Sequence, residues 1–216
     1  VRRLVGSEMC IRDSLNDLRF KYDFQFDPVD ETSYQHKVWP EGHVVAGEPI
    51  TLRDYQVEII NKYLGTPHCL QEIATGAGKT LITAALSNKV EKYGRSIVIV
   101  PNKDLVTQTY ADYANLGLDV GVYYGDKKEL GHTHTICTWQ SLNSIRKRYK
   151  EGESDLSLAE FADGVVCVIV DEVHQAKADV LKDLLTKEFA NVPLRWGLTG
   201  TIPVSYTHLR AHETTN

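Results

Sequence analysis

The chain has 216 residues, 42% of them apolar and 25% charged, with 15 Gly, 4 Cys and a formal net charge of -5. That suffices for one compact domain with a full core, or one domain with a small appendage, and excludes wholesale disorder and collagen-like architectures. No run approaches about 18 apolar residues, no secretory apolar region follows Arg2 and Arg3, the Cys lack framework spacing, and the acidic balance leaves no global basic footprint.

The two ends come first, because they are related. Leu4 to Asp13 can be encoded by codons whose opposite strand translates, without a break, as Val204 to Glu213. The DNA in question resembles a transposase adaptor used in preparing sequencing libraries. Residues 1–14 and 204–216 are therefore expected to be non-native tails and are set aside from fold reasoning. The native part is expected to be cut from a longer protein at both ends, and it stays acidic once the tails are removed.

Residues 15–50 are mixed in character, with Pro28, Pro40 and Pro49. They are expected to hold short strands and turns, as the strand-rich remnant of an N-terminal domain. Thr51 is expected to cap a helix carrying Tyr55, Val57, Ile59 and Ile60. Residues 51–203 then alternate between strand and helix patterns and form one expected domain. Strands are expected at 69–73, 96–100, 119–124, 135–138, 165–170 and 195–199. Helices are expected at 79–93, 104–116, 141–149 and 178–189, with a polar loop at 150–155. The continuous apolar runs at 96–100 and 165–170 have the composition of strands buried on both faces. The expected fold class is therefore α/β, a parallel sheet flanked by helices.

Ile73-Ala74-Thr75-Gly76-Ala77-Gly78-Lys79-Thr80 lies between an expected strand and an expected helix. Glycines let successive backbone N–H groups curl round phosphate oxygens, and the helix start adds partial positive charge. Thr75, Gly76, Ala77 and Gly78 would cradle the phosphates of ATP, Lys79 would reach the β- and γ-phosphates, and the Thr80 hydroxyl would ligate Mg²⁺. The strict pattern has Gly where Ile73 stands. Asp171-Glu172-Val173-His174 follows the second buried strand, at the sheet edge where α/β folds bind ligands. There Asp171 would hold Mg²⁺ and Glu172 would orient or deprotonate the attacking water.

These residues resemble superfamily 2 helicases and translocases of the DExH type, whose name describes residues 171–174. The resemblance implies a RecA-like phosphate-loop domain, covers 51–203 well and 15–50 poorly, and is nearest in wording to phage recombination and repair helicases of the UvsW type. Leu52-Arg53-Asp54-Tyr55-Gln56 is similar to the family's adenine-reading motif. Gln56 offers a donor and an acceptor for the adenine edge, and Arg53 would pack on or bond to the base. Pro101, Asn102, Lys103 and Gln108 resemble the first nucleic-acid motif, Gly125 with Asp126, Lys127 and Lys128 a backbone contact, and Thr138 with Ser141 a third motif. Such hydroxyls, amides and helix starts contact phosphates without reading sequence. Thr199, Gly200 and Thr201 resemble the motif coupling the ATP site to nucleic acid, with Gly200 where Ala is usual and His174 as partner.

The resemblance implies an ATP-hydrolysing DNA helicase that remodels branched DNA, with RNA the open alternative as partner, no membrane association, and a second RecA-like domain absent from this chain. The cysteines and the lack of a signal lead to the expectation of an intracellular setting, the cytoplasm, that of an infected host cell where the phage likeness holds. A non-unwinding translocase of restriction type and a nucleotide-gated binding module without catalysis stay open beside it. His132-Thr133-His134 is read as a loop rather than a metal site, and Cys69, Cys137 and Cys167 as small buried side chains. Arg146, Lys147, Arg148 and Lys150 are read as a solvated helix end, with phosphate contact as the alternative. Trp39 is read as core packing rather than an adenine-stacking ring.

Overall fold

The computed structural model describes residues 24–175 and 178–200. The terminal tails and Thr201 lie outside the described residues. Strand β1 spans His68–Glu72, β2 Arg95–Val100, β3 Val120–Tyr124, β4 Lys127–Lys128, β5 His134–Thr138, β6 Val165–Val170 and β7 Leu194–Thr199. They form one sheet in the order β1-β7-β6-β2-β5-β3-β4, parallel except for the short antiparallel β4. Helix α1 spans Asp54–Leu64, α2 Lys79–Val90, α3 Lys103–Asn115, α4 Trp139–Lys150, α5 Leu158–Phe161 and α6 Ala178–Asp183. This is the expected α/β sheet. None of the described helices is long and apolar enough to cross a membrane.

The two apolar runs sit at the centre because each must be covered twice. All six residues of β6 are buried. Side chains alternate between faces along a strand. Val98 and Val100 of β2 accordingly join the cluster beneath α1, α2 and α3, while Ile97 and Ile99 join Leu142, Ile145, Phe161 and Leu181 on the other face. A register shift between Arg95 and Ser96 interrupts the β2–β6 pairing at its start.

Three expectations change. The expected strands in 24–50 are absent: the segment forms turns with one antiparallel bridge between Val38 and Pro49. Its prolines cannot donate to a ladder. A side chain substitutes, for Asn61 accepts the Val29 N–H at 2.9 Å and donates to the Val29 carbonyl at 3.0 Å. Val29, Tyr34, Ile50 and Leu52 thereby enter the same core as α1 and α2. Second, Arg53 rather than Thr51 is the cap of α1, because the extended backbone runs on to Arg53 while Leu52 is buried in the core. Third, the helix after 178 leaves α geometry at Leu184 and finishes as a wider π turn to Glu188. Trp39 packs on the core and stacks on His43 at 4.3 Å, while neighbouring Lys37 reaches the Leu116 carbonyl at the far end of α3.

Cys69, expected to be buried, is only half-buried. His134, expected in a solvated loop, instead opens β5 and shows how polar groups survive in this core. Its side chain is fully buried, with Nδ1 2.8 Å from the Ser96 hydroxyl and Nε2 3.2 Å from a Glu91 carboxylate oxygen. Burial holds its pKa below the ordinary value, and the nearby Glu91 and Asp119 charges only partly offset that. A depressed histidine is neutral in the fold, while the unfolded chain takes up the proton below pH about 6.5. Stability is therefore expected to be full above that pH and to fall as pH drops through it. Thermal melts at pH 7.5 and 5.5 check this: His134→Gln should flatten the difference, and equal slopes in parent and variant would contradict it. His132 is turned elsewhere, onto Asp119 at 2.7 Å.

Candidate nucleotide site and adjoining cleft

Parallel strands deliver their C-terminal ends to one edge. Register pairs Glu72 with Thr199, Val170 with Gly197, Ile99 with Val170 and Val100 with Thr138. The segments that follow these strands are therefore neighbours. The ladder even continues one step beyond: Ile73 N–H donates to the Thr199 carbonyl at 2.8 Å, and Asp171 N–H to the Ile99 carbonyl at 2.9 Å. Ile73 is 2% exposed and still in pairing geometry, so the departure from Gly costs the loop nothing.

The loop then turns on Gly76 and Gly78, with φ of +83° and +79°. Such values are strained for any residue with a Cβ. At Gly78 a Cβ would also stand 2.6 Å from the Gln56 amide nitrogen. Gln56 is buried; its Nε2 donates to the Ala77 carbonyl at 3.0 Å and its Oε1 accepts from Arg53 N–H at 3.0 Å. Tyr55 donates its hydroxyl to the same Ala77 carbonyl at 3.2 Å, and Arg53 reaches that hydroxyl at 3.4 Å. The start of α1 thus clasps the loop that starts α2. The role of Tyr55 escaped the sequence, because neither spacing nor residue type announces a contact 22 residues away.

Lys79 forms an ion pair with Glu172, both side chains mostly buried. The other Glu172 oxygen accepts from Gly200 N–H at 3.2 Å and lies 3.3 Å from His174 Nδ1. His174 Nδ1 is also 2.8 Å from the Thr199 hydroxyl. A Cβ on Gly200 would stand 3.5 Å from the Thr75 hydroxyl and 3.6 Å from Lys79 Nζ. One small volume therefore collects Thr75, Lys79, Glu172, His174, Thr199 and Gly200. Glu172 holds a φ of +50°, a left-handed conformation sustained by these contacts. Burial of its carboxylate is outweighed by the Lys79 hydrogen bond, the Gly200 N–H and the Lys79 and His174 charges, so its pKa lies below the ordinary value. Asp171 behaves oppositely: burial pushes it up to about 6, with the Glu172 charge adding and Lys79 subtracting. Thr80 is half-buried in the first turn of α2. A buried carboxylate short of positive charge, beside a glycine loop and a lysine, suits a triphosphate with its divalent cation.

Next to this volume the same edge holds a cleft of about 690 Å³. Pro101, Asn102 and Lys103 line it from β2 and α3, Gly125 from the turn between β3 and β4, and Thr138 and Ser141 from β5 and α4. Two helix starts point here. Asn102 accepts from Leu105 N–H at 3.0 Å, and Thr138 from Ser141 N–H at 3.3 Å. Gln108 is exposed on α3 and is not among the lining residues. Tyr123, Lys128 and Arg148 also line the cleft. Arg148 was read as a solvated helix end; the stripe Ser141, Ser144, Arg148 at helical spacing is the signal that carries it inward.

The sheet order, the helices on both faces and the glycine loop between β1 and α2 define a phosphate-loop α/β domain of the RecA-like type. A family model described as Type III restriction enzyme, res subunit, matches residues 49–204, and the chain belongs to that family. Nucleotide use goes with the family. The chain is 29% identical over 187 residues to the DNA 3'-5' translocase XPB2 of Sulfurisphaera tokodaii, covering 82% of this chain and 38% of that protein. The UvsW helicase from bacteriophage T4 superposes with a TM-score of 0.60 at 17% identity, over 88% of this chain and 61% of that one. The SWI2/SNF2 ATPase core of Sulfolobus solfataricus, solved in complex with dsDNA, gives 0.51 at 22% identity, over 82% and 35%. At these identities the two structures speak for the fold.

Proposed function

We propose that this chain is the first RecA-like lobe of an ATP-driven DNA helicase or translocase, one that remodels branched DNA. The observation that carries the reading is the convergence of Lys79, Glu172, His174, Thr199 and Gly200 at the sheet edge that also holds the polar cleft. In this reading Thr75, Gly76, Ala77 and Gly78 wrap the phosphates, and Gln56 with Arg53 meets the adenine. Thr80 and Asp171 would hold Mg²⁺, which would supply charge neutralisation to a bound triphosphate. Lys79 leaves Glu172 for the γ-phosphate, and the freed Glu172 carboxylate orients the attacking water and takes its proton. Gly200 N–H and His174 lose their Glu172 contacts in the same step, which carries the event to Thr199 and Thr201. Pro101, Asn102, Lys103, Gly125, Thr138 and Ser141 hold a strand by its phosphates, with Gln108 further along α3. DNA is favoured over RNA by the named substrate of the S. tokodaii relative. The phage likeness of the motif wording supports the cytoplasm of an infected cell as the setting.

The chain spans 38% of the length of that translocase. We place the arginine finger in a second RecA-like lobe, where it is worth about 10³–10⁵ in rate. The described lobe by itself then binds nucleotide and turns it over slowly. Titration of the chain with a fluorescent ATP analogue and Mg²⁺ tests this, with Lys79→Ala expected to weaken binding at least about tenfold through the lost charge-assisted contacts. Equal binding by parent and variant would refute the phosphate-loop reading.

A further inference from the structure

Three family-like motifs account for only part of the cleft lining. Tyr123, Ser144, Ile145, Arg148, Ser154 and Leu156 line it as well. Ser141, Ser144 and Arg148 follow the cap residue Thr138 at helical spacing, so a single stripe of α4 lines the cleft. Ten residues of helix are about 15 Å, room for several phosphates at about 3.4 Å of rise per nucleotide of one strand.

The basic residues at the end of α4 are not equivalent. Arg146 is turned to Asn143 at 2.8 Å and to Asp183 at 3.8 Å. Lys147 is 71% exposed and pairs with Glu151. Neither lines the cleft, whereas Arg148 does. Tyr123 lines the same cleft, and its hydroxyl, raised by burial, is drawn back by the Arg148 charge. The nearest carboxylate to Arg148 is Glu153, at 3.9 Å, and both side chains are substantially exposed. An exposed pair that long is weak and exchangeable. A phosphate offers the guanidinium a planar, two-pronged partner instead.

We infer that the strand track continues past the family-like motifs, along α4 to the 154–156 loop, and that Arg148 takes a backbone phosphate there while Glu153 competes for the same guanidinium. This rests on the nucleic-acid reading of the cleft. The contact is to phosphate alone, so it adds affinity for any sequence and none for a particular one.

Fluorescence anisotropy of the whole 216-residue chain with a labelled single-stranded DNA of about 12 nucleotides, read from about 50 to 200 mM salt, tests it. Arg148→Gln should weaken binding several-fold on every sequence and make the slope of log K against log salt shallower by about 0.7. Glu153→Gln should tighten binding, which no misfolded variant would do. Lys147→Gln, off the cleft, should leave affinity and slope as they are. If Lys103→Gln weakens binding while Arg148→Gln changes neither affinity nor slope, the extension is wrong and the cleft reading stands. If polyglutamate displaces the DNA and binds equally well, the partner is an acidic protein and the inference fails. If the parent chain binds no strand, the cleft reading fails and takes the extension with it.

Discussion

Replacing Glu172 by Gln is expected to slow ATP hydrolysis by about 10²–10⁴-fold while nucleotide binds at least as tightly as before. The rate falls because an amide cannot take a proton from water. Binding is spared because of the ion pair. In the parent, Lys79 is held by Glu172 and must leave it to meet a phosphate. The amide removes that competitor and keeps the acceptor for Gly200 N–H. It also keeps the side-chain volume that sustains the left-handed φ of +50°. Steady-state turnover and equilibrium binding, measured on one preparation containing both lobes, check the two halves separately. A loss of turnover below about tenfold, or binding lost together with turnover, would show that Glu172 is structural.

The largest stability effect is expected at Trp196. It is 1% exposed, rests against Tyr63 at 5.8 Å between ring centres, and donates its indole N–H to the Thr66 carbonyl at 2.8 Å. Trp196→Ala removes the apolar contact and leaves a cavity, at a cost of about 3–5 kcal/mol. Domains of this size hold about 5–15 kcal/mol in all. The melting temperature should therefore drop by roughly 6–20 °C. Trp196→Phe keeps most of the ring and strands only the Thr66 carbonyl, so it should cost about 1–3 kcal/mol. Thermal melts of the three proteins test the order, and an alanine variant within about 1 kcal/mol of the parent would contradict the burial argument.

The parts of the fold legible in the sequence are those with a local, repeated signal. Val165–Val170 is a strand over its expected length because six apolar residues in a row fit only a position covered on both faces. The loop at 73–80 was legible because glycines, lysine and the flanking elements constrain each other. Short elements were not. Lys127–Lys128 forms a strand only because Tyr123 and Tyr124 lie opposite it. Leu158–Phe161 was passed over although Ser157 and Glu160 form a reciprocal cap, a signal present in the sequence. Residues 24–50 misled because their order comes from distant partners: Asn61 for Val29, Leu116 for Lys37, Tyr93 for Gln25. In the candidate site, residue types gave Lys79 and Glu172, whereas Tyr55 and Arg148 needed three-dimensional neighbours to be found.

The Ile99 carbonyl receives the Asp171 N–H, and two residues later Pro101 begins the wall of the cleft. In the proposed reading, fuel and cargo would therefore rest on the same short beam. A beam of this kind has little slack, since Ile99 and Val100 are each only 1% exposed and wedged between two helical layers. In that reading the lobe would need no long linkage, and the reach of any motion would be set by how far one strand can lean before the core around it resists.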